Sequence, residues 1–576
     1  MRTEKCGVLV VGAGPSGLAA SALLAGYGIA VIGISKYGAC APTPRATVAN
    51  ARSMEVYRDL GIEDEMKTQG VSMRSLPFNV FATSMDGMEF ARYRSYGTSA
   101  ARLSDYAAAS PCVGWNIAQH RLEPVLLAGA KSKGADIRYS NEMLSIEQHT
   151  DGVVAAIRNR ETGEEYRIEA AFAIGADGGR STVAEQCGFE MEGAPTEKGL
   201  VSMWVEADLA KYAAHRPAYL YNIFRPGPHQ WYGAGSWLCV TPYSEWLFSM
   251  AGTADVGEAE LLKRARETIG DPDVAIKINQ IYDWRVNHIY ARQYRKGRIF
   301  LAGDAAHRHP PAGGLGANTS VQDAFNLAWK LAHVLKGYAG EALLDTYHDE
   351  RQPVGRHLVE RANKSMANNA PIPAAVGWTD EMPENEAWQK LETLFSDTAE
   401  AAERRAKLDA AIALGNYRSN AIGMELGQRY RSSAIHDDGL PMPSPSRDPE
   451  LYYEPTSFPG AYLPHAWVQH GAAEVSTLDI VGKGSFCLLV GLGGKAWAEA
   501  AEAVTRETGV PLTVRTIGKG CEFDDLTGEW AAVREVSDHG ALLVRPDRWV
   551  AWRSTDLPPD AVAGLTDAVR HVLSLA

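Results

Sequence analysis

The 576-residue sequence predicts an α/β fold, and two observations carry that expectation. A strand, a glycine-rich turn, a helix and a second strand follow one another within about 30 residues of the N-terminus, the order of a βαβ unit in a doubly wound parallel sheet. Farther along, short runs of aromatic and β-branched residues stand between Gly and Pro, as in Trp231-Tyr232-Gly233 and Trp246-Leu247-Phe248, and predict an antiparallel sheet.

The elements follow in order. Residues 7–11 are an apolar run that meets a glycine cluster, residues 16–27 are rich in Ala and Leu as a buried helix is, and residues 29–34 read as the second strand. The antiparallel sheet is expected over 72–96 and 203–286. A buried or amphipathic helix is expected over 322–335, a connector over 371–383 and a solvated charged helix over 397–413. Proline punctuates 439–464 throughout, which marks a linker, and strands and helices alternate again after it. The expected division is one discontinuous domain over 1–75, 105–190 and 287–380, a sheet domain over 76–104 and 191–286, a helical connector and linker over 381–454, and a C-terminal domain over 455–576.

A chain this long divides into several cores. Its 57 basic and 70 acidic residues give a formal charge of -13, which disfavours nucleic acid because phosphate neutralisation needs a basic face. The seven cysteines, Cys6, Cys40, Cys112, Cys187, Cys239, Cys487 and Cys521, are scattered without a C-x-x-C, so they read as reduced thiols and suggest neither a disulfide framework nor a metal site. No signal-peptide pattern and no apolar run of about 18 residues is present, so a cytoplasmic location is expected.

Three segments carry chemistry. Gly12-Ala13-Gly14-Pro15-Ser16-Gly17 fits G-x-G-x-x-G between strand and helix. The first Gly permits the turn, the second admits a pyrophosphate, the third packs the helix on the strand, and the helix N-terminus faces the phosphates. Ser35-Lys36 stand where Asp or Glu usually holds ribose hydroxyls; a cation there also suits a 2′-phosphate, but the downstream segments decide against that reading. Ala176-Asp177-Gly178-Gly179 and Ala302-Gly303-Asp304-Ala305 each place an Asp just after a small-residue strand end, where it can accept from ribityl or ribose hydroxyls; alone, either reads as a turn. His309-Pro310-Pro311-Ala312-Gly313-Gly314-Leu315-Gly316-Ala317-Asn318 completes the set.

In this order the segments resemble the class A flavoprotein aromatic hydroxylases of the para-hydroxybenzoate hydroxylase fold, and among them enzymes like 2,4-dichlorophenol 6-monooxygenase and phenol hydroxylase, over nearly the whole chain. The resemblance implies a glutathione-reductase-like FAD-binding Rossmann domain interleaved with an antiparallel-sheet substrate domain, plus a thioredoxin-like C-terminal domain. It implies that Gly12, Gly14, Pro15, Ser16, Gly17, Ser35, Lys36, Arg45, Gln119, Met143, Asp177, Gly303 and Asp304 bind FAD, with Asp304 on the ribityl chain. The backbone of Gly314, Gly316, Ala317 and Asn318 would hold the flavin edge where charge collects on reduction, as an oxyanion hole does. Pro311 would line the cavity above the flavin, its carbonyl meeting substrate or oxygen. Thr47 stands at a substrate-facing position that is acidic in some relatives, and Tyr221, Tyr232 and Arg285 are sheet candidates for a polar partner to the substrate.

The implied reaction is hydroxylation of a phenol-like ring, ortho to its hydroxyl, with NADPH or NADH and O2 through a C4a-hydroperoxyflavin. Flavin carries that chemistry and the protein supplies position and electrostatics. A homo-oligomer is also implied. Same-fold Baeyer-Villiger oxidation, ring cleavage or other oxidative ring modification, a flavin oxidoreductase that inserts no oxygen, and a non-enzymatic flavoprotein are the other readings; a halogenase is disfavoured because W-x-W-x-I-P is absent. His215, His333 and His465 lack spaced partners and read as surface or core residues, and Gly491-Leu492-Gly493-Gly494-Lys495 lacks phosphate-loop spacing.

Overall fold

The architecture comes from a computed structural model, which describes residues 2–226, 233–379 and 381–575. Arg2–Val11 lies at the middle of a largely parallel sheet, flanked on one side by Val31–Ile34 and then Asp136–Arg138, and on the other by Glu165–Gly175. Glu165–Gly175 is long enough to pair twice on its far edge. Its first half takes the Val153–Asn159 hairpin strand antiparallel, and its last residues take Ile299–Leu301 parallel. The Pro15–Gly26 helix covers this sheet. It begins at a proline, which needs no N–H there, and is buried along nearly its whole length, as its Ala and Leu content predicts.

The second sheet runs in the order His307–Arg308, Lys277–Ala291, Met191–Glu206, Glu245–Ala251, Gly235–Thr241, Ala218–Ile223, Phe78–Ala82, Glu89–Arg94. It is antiparallel except at one seam, where Ala218–Ile223 runs parallel to Phe78–Ala82, two strands joined only by a distant crossover. Trp237, Trp246 and Phe248 fill the core against one face.

Strand order Leu512–Thr516, Phe486–Val490, Ala541–Val544, Val550–Ser554, with the Gly494–Thr508 and Ala561–Val572 helices, makes the C-terminal unit. All seven cysteines are free thiols. This unit docks through buried charge: Arg545 donates to both oxygens of Glu350 at 2.6 and 2.8 Å, Lys330 reaches Glu350 at 2.8 Å, and Asn326 donates to Asp547 at 3.1 Å. Each of these charges is fully buried, so each depends on its partners to remain charged.

Two expectations change. Residues 371–383 are not simply a connector, because Pro371–Val376 forms a helix that starts on a proline and stops at Gly377 in the left-handed region. The proline-punctuated stretch 439–464 is exposed in its first part, but Tyr453, Phe458, Tyr462 and Leu463 are buried, and the Tyr462 hydroxyl donates to Glu55 at 2.8 Å. Proline prevents regular structure there, while the aromatic residues anchor the chain.

Candidate functional site

The three sequence segments meet in space. Gly12 adopts φ +115°, and a Cβ on it would stand 2.1 Å from the Ala176 carbonyl oxygen. One on Gly17 would stand 1.9 Å from the Gly12 oxygen. Gly303, at φ +61°, packs against Ser16 and Ser320 at distances a side chain would close to about 3 Å. Arg308 donates to the Gly179 carbonyl and ties the second segment to the third. Asp304 is exposed beside this junction, close enough for its charge to bear on Arg308 and His309.

The Gly316–Leu335 helix starts without a side-chain cap, and the N–H groups of Gly316, Ala317 and Asn318 have no acceptor among the described residues. A 20-residue helix therefore presents its positive end and free donors to the cleft. The Asn318 side chain fixes this end: it donates to the Val48 carbonyl at 2.9 Å and accepts the Asn50 N–H at 2.9 Å. His309 lies against Gly316, with Nδ1 on the Pro310 carbonyl at 2.8 Å and Nε2 buried without a partner. Burial pushes its pKa down, so the ring is neutral at physiological pH.

On the other wall, Gln119 opens a helix and donates to Glu123 at 2.7 Å, while the other Glu123 oxygen accepts the Ala41 N–H at 2.6 Å. Glu123 also faces Gly14, and the nearby Arg45 charge bears on both Glu123 and Tyr282. Arg45 itself is exposed. The Ser16 and Thr43 hydroxyls are buried with no partner. An open cavity of about 1010 Å³ lies against the start of the same helix, with Arg121, Trp204, Glu245 and Lys277 in its lining; Arg121 pairs with Glu245 there and Lys277 with Glu206.

The remaining expected residues have these surroundings. Asp177 accepts the Ser181 hydroxyl and the Val183 N–H at 3.2 Å, so its half-buried carboxylate holds the start of a short helix. The Pro311 carbonyl accepts the Gly314 N–H at 3.1 Å and closes a tight turn, and the Pro311 ring is exposed. Met143 is buried in the hairpin opposite Ile157, so a cofactor contact there falls to its backbone. The Ser35 hydroxyl is turned to the Tyr37 N–H at 3.3 Å, and Lys36 is half-buried beside the Tyr37 ring. His333 and His465 are satisfied core residues, bonded to the Trp329 carbonyl and the Ser476 hydroxyl at 2.8 Å each, and His215 is exposed.

Of the substrate candidates, Thr47 lies beside Val48, which contacts Gly314, and shares a 2.7 Å hydrogen bond with Tyr219. Tyr221 is fully buried and donates to the Arg216 carbonyl at 2.8 Å, so it belongs to the core. Arg285 is exposed on the long Lys277–Ala291 strand opposite Gly199. Tyr232 lies outside the described residues. Tyr219, not singled out in the sequence, is the residue that contacts Thr47. Strand pairing shifts between Ala218 and Leu220, and such an irregularity re-aims the residue at it, which strict alternation does not reveal.

Residues 5–362 match the family model described as FAD binding domain, and residues 456–576 match that described as aromatic-ring hydroxylase, C-terminal. The chain belongs to the FAD-dependent aromatic-ring hydroxylases. It is 43% identical to the 2,4-dichlorophenol 6-monooxygenase of Delftia acidovorans over 99% of this chain and 98% of the relative. Against the phenol 2-monooxygenase of Pseudomonas sp. the identity is 39%, over 98% and 92%. The crystal structure of the flavin-dependent monooxygenase PieE, in complex with FAD and substrate, superposes with a TM-score of 0.96 at 42% identity, covering both chains fully. This chain is a FAD-dependent monooxygenase, with NAD(P)H as reductant and O2 as co-substrate. Its cleft fits the cofactor: glycines that leave no room for a Cβ, buried unpartnered hydroxyls, and free N–H donors at a helix end are the complement of a pyrophosphate and an anionic ring edge.

Proposed function

We propose that this monooxygenase hydroxylates a phenol-like ring, ortho to its hydroxyl. The observation that carries the reading is the polar and aromatic group set against the flavin-edge loop: Thr47 bonded to Tyr219, and Tyr219 edge-on to Tyr96 at 5.6 Å. Aromatic edges and faces suit a flat ring, and hydroxyl groups suit a phenol oxygen. The names of the relatives, which act on 2,4-dichlorophenol and phenol, point the same way.

Bound FAD, reduced by the nicotinamide, supplies the electrons that let one oxygen atom of O2 enter the ring while the other leaves as water. The residues divide the remaining tasks. Gly12, Gly14 and Gly17 admit the pyrophosphate, and Asp304 accepts from the ribityl hydroxyls. The N–H groups of Gly316, Ala317 and Asn318 stabilise negative charge on the ring edge, and the Pro311 ring excludes water above it. Ser35 contributes to the ribose site through its backbone and short side chain. Hydrogen bonding from Thr47 and Tyr219 orients the substrate oxygen and favours its ionised form, which raises the electron density of the ring. A cytoplasmic location and a homo-oligomer belong to the same proposal; no described helix is long and apolar enough to cross a membrane.

The test is NADPH and NADH oxidation across a panel of substituted phenols, with product identification. The expected result is stimulation by a subset of phenols and a catechol product. Equal oxidation rates with and without every phenol contradict the proposal.

A further inference from the structure

The connector between the two family-matched regions packs against the flavin-edge loop. Asn416–Ser419 is a single helical turn, and the Arg418 carbonyl oxygen stands 2.8 Å from where a Gly313 Cβ would be, so this turn lies directly on the flavin-edge loop. From there it is clamped to the substrate sheet. The Ser419 carbonyl accepts the Tyr96 N–H at 2.6 Å, the Ser419 and Tyr93 hydroxyls lie 3.2 Å apart, and Asn420 accepts the Gly97 N–H at 2.9 Å and donates to the Arg94 carbonyl at 2.8 Å. Tyr96 holds φ at 51°, a strained value for tyrosine that these bonds maintain.

Contacts already described then close a ring. The Arg418 carbonyl lies on Gly313, the carbonyl of the next residue, Ser419, holds Tyr96, Tyr219 is edge-on to Tyr96, Thr47 is bonded to Tyr219, and Val48 packs on Gly314. Arg418 is the one charged residue in this ring. Its side chain is half-buried, and among the described residues no carboxylate or carbonyl is bonded to it. Its charge bears on Tyr93 and Tyr96, where it works against the effect of burial on both phenol groups. A half-buried guanidinium left without an acceptor, beside phenol rings, is matched by an anionic oxygen carried on an aromatic ring.

We infer that Arg418 is a substrate-binding and specificity residue, which takes the anionic oxygen of the aromatic substrate within the ring formed by Tyr96, Tyr219 and Thr47. This inference rests on the proposed phenol-hydroxylating function and adds a residue that no motif contains. The anionic oxygen is a phenolate or a ring carboxylate. Both have the same chemistry toward a guanidinium.

The test uses the full-length holoenzyme and its Arg418→Met and Arg418→Lys variants, with phenols, hydroxybenzoates and the corresponding methyl ethers. Dissociation constants come from flavin absorbance changes, and kcat and KM from product formation. Arg418→Met is expected to weaken ionisable substrates at least tenfold, with KM rising more than kcat falls, and to leave binding of the neutral ethers within about twofold. Arg418→Lys is expected to restore most of the affinity. A loss seen with simple phenols assigns the phenolate, and a loss confined to hydroxybenzoates assigns the carboxylate. Unchanged affinity in Arg418→Met, or equal losses for ethers and phenols, overturns the inference. If no aromatic compound stimulates the parent enzyme, the underlying function fails instead, a result distinct from an active parent with an indifferent variant.

Discussion

The Asp323 carboxylate accepts the backbone N–H of Gly303 at 3.1 Å. The same oxygen is 2.8 Å from His307 Nε2, and the other takes Arg351 at 2.8 Å. Asp323 is fully buried, yet Arg351 and His307 hold its pKa below the usual carboxylate range. A permanent charge thus fixes the glycine that precedes Asp304 from behind, and Arg351 continues to Tyr430 at 3.0 Å.

Asp323→Asn keeps the shape but removes the charge and leaves Arg351 underpaired. The FAD dissociation constant is expected to rise about tenfold, on the order of 1.4 kcal/mol, as read by flavin fluorescence on titration of the apoprotein. An unchanged constant, with only a lower unfolding temperature, would show that the relay serves stability alone.

Gly17→Ala and Gly564→Ala test the cradle against a neutral site. The first places a methyl group 1.9 Å from the Gly12 carbonyl, and the second meets nothing within 4 Å. Gly17→Ala is expected to purify without the two flavin absorption bands. Gly564→Ala, in a helix, is expected to keep its flavin and to gain roughly 0.4–1 kcal/mol of stability in denaturant titration.

Glu425 gives a pH prediction. Burial raises its pKa from 4.5 to about 8, and the one charge opposing this is Arg52. Between those values the unfolded chain releases a proton that the folded protein keeps, so this carboxyl lowers stability progressively as pH rises from about 4.5 to about 8. Above that range the penalty is constant. Glu425→Gln carries no such dependence. Its stability relative to the parent is expected to improve by on the order of 4 kcal/mol between pH 5 and pH 9 in urea titrations. A constant difference across that range would refute the placement of the charge.

What the sequence made legible was set by local geometry. Gly12, Gly17 and Gly303 are readable because each role depends on the absence of a side chain beside a strand end. The uncapped start of the Gly316–Leu335 helix follows from the glycines before it. Asp177 is ambiguous in the sequence because an Asp after a strand looks the same whether it faces a ribose or caps the next helix, and the bonds it makes are to Ser181 and Val183. Asp323, Glu123 and Arg418 escaped because their partners lie far off in sequence, at Gly303, Ala41 and Gly313. Tyr221 was a candidate by its location in the sheet, and its side chain is buried in the core.

Hydroxylation with retention of one atom of O2 is the central claim, and oxygen-18 labelling tests it most directly. The enzyme is incubated with FAD, NAD(P)H, a phenol that stimulates NAD(P)H oxidation, and 18O2 in ordinary water, and the product is read by mass spectrometry. The predicted result is a catechol carrying one 18O atom, formed in proportion to the nicotinamide oxidised. Product oxygen drawn from water, or nicotinamide oxidation that yields only hydrogen peroxide with every phenol, would contradict it.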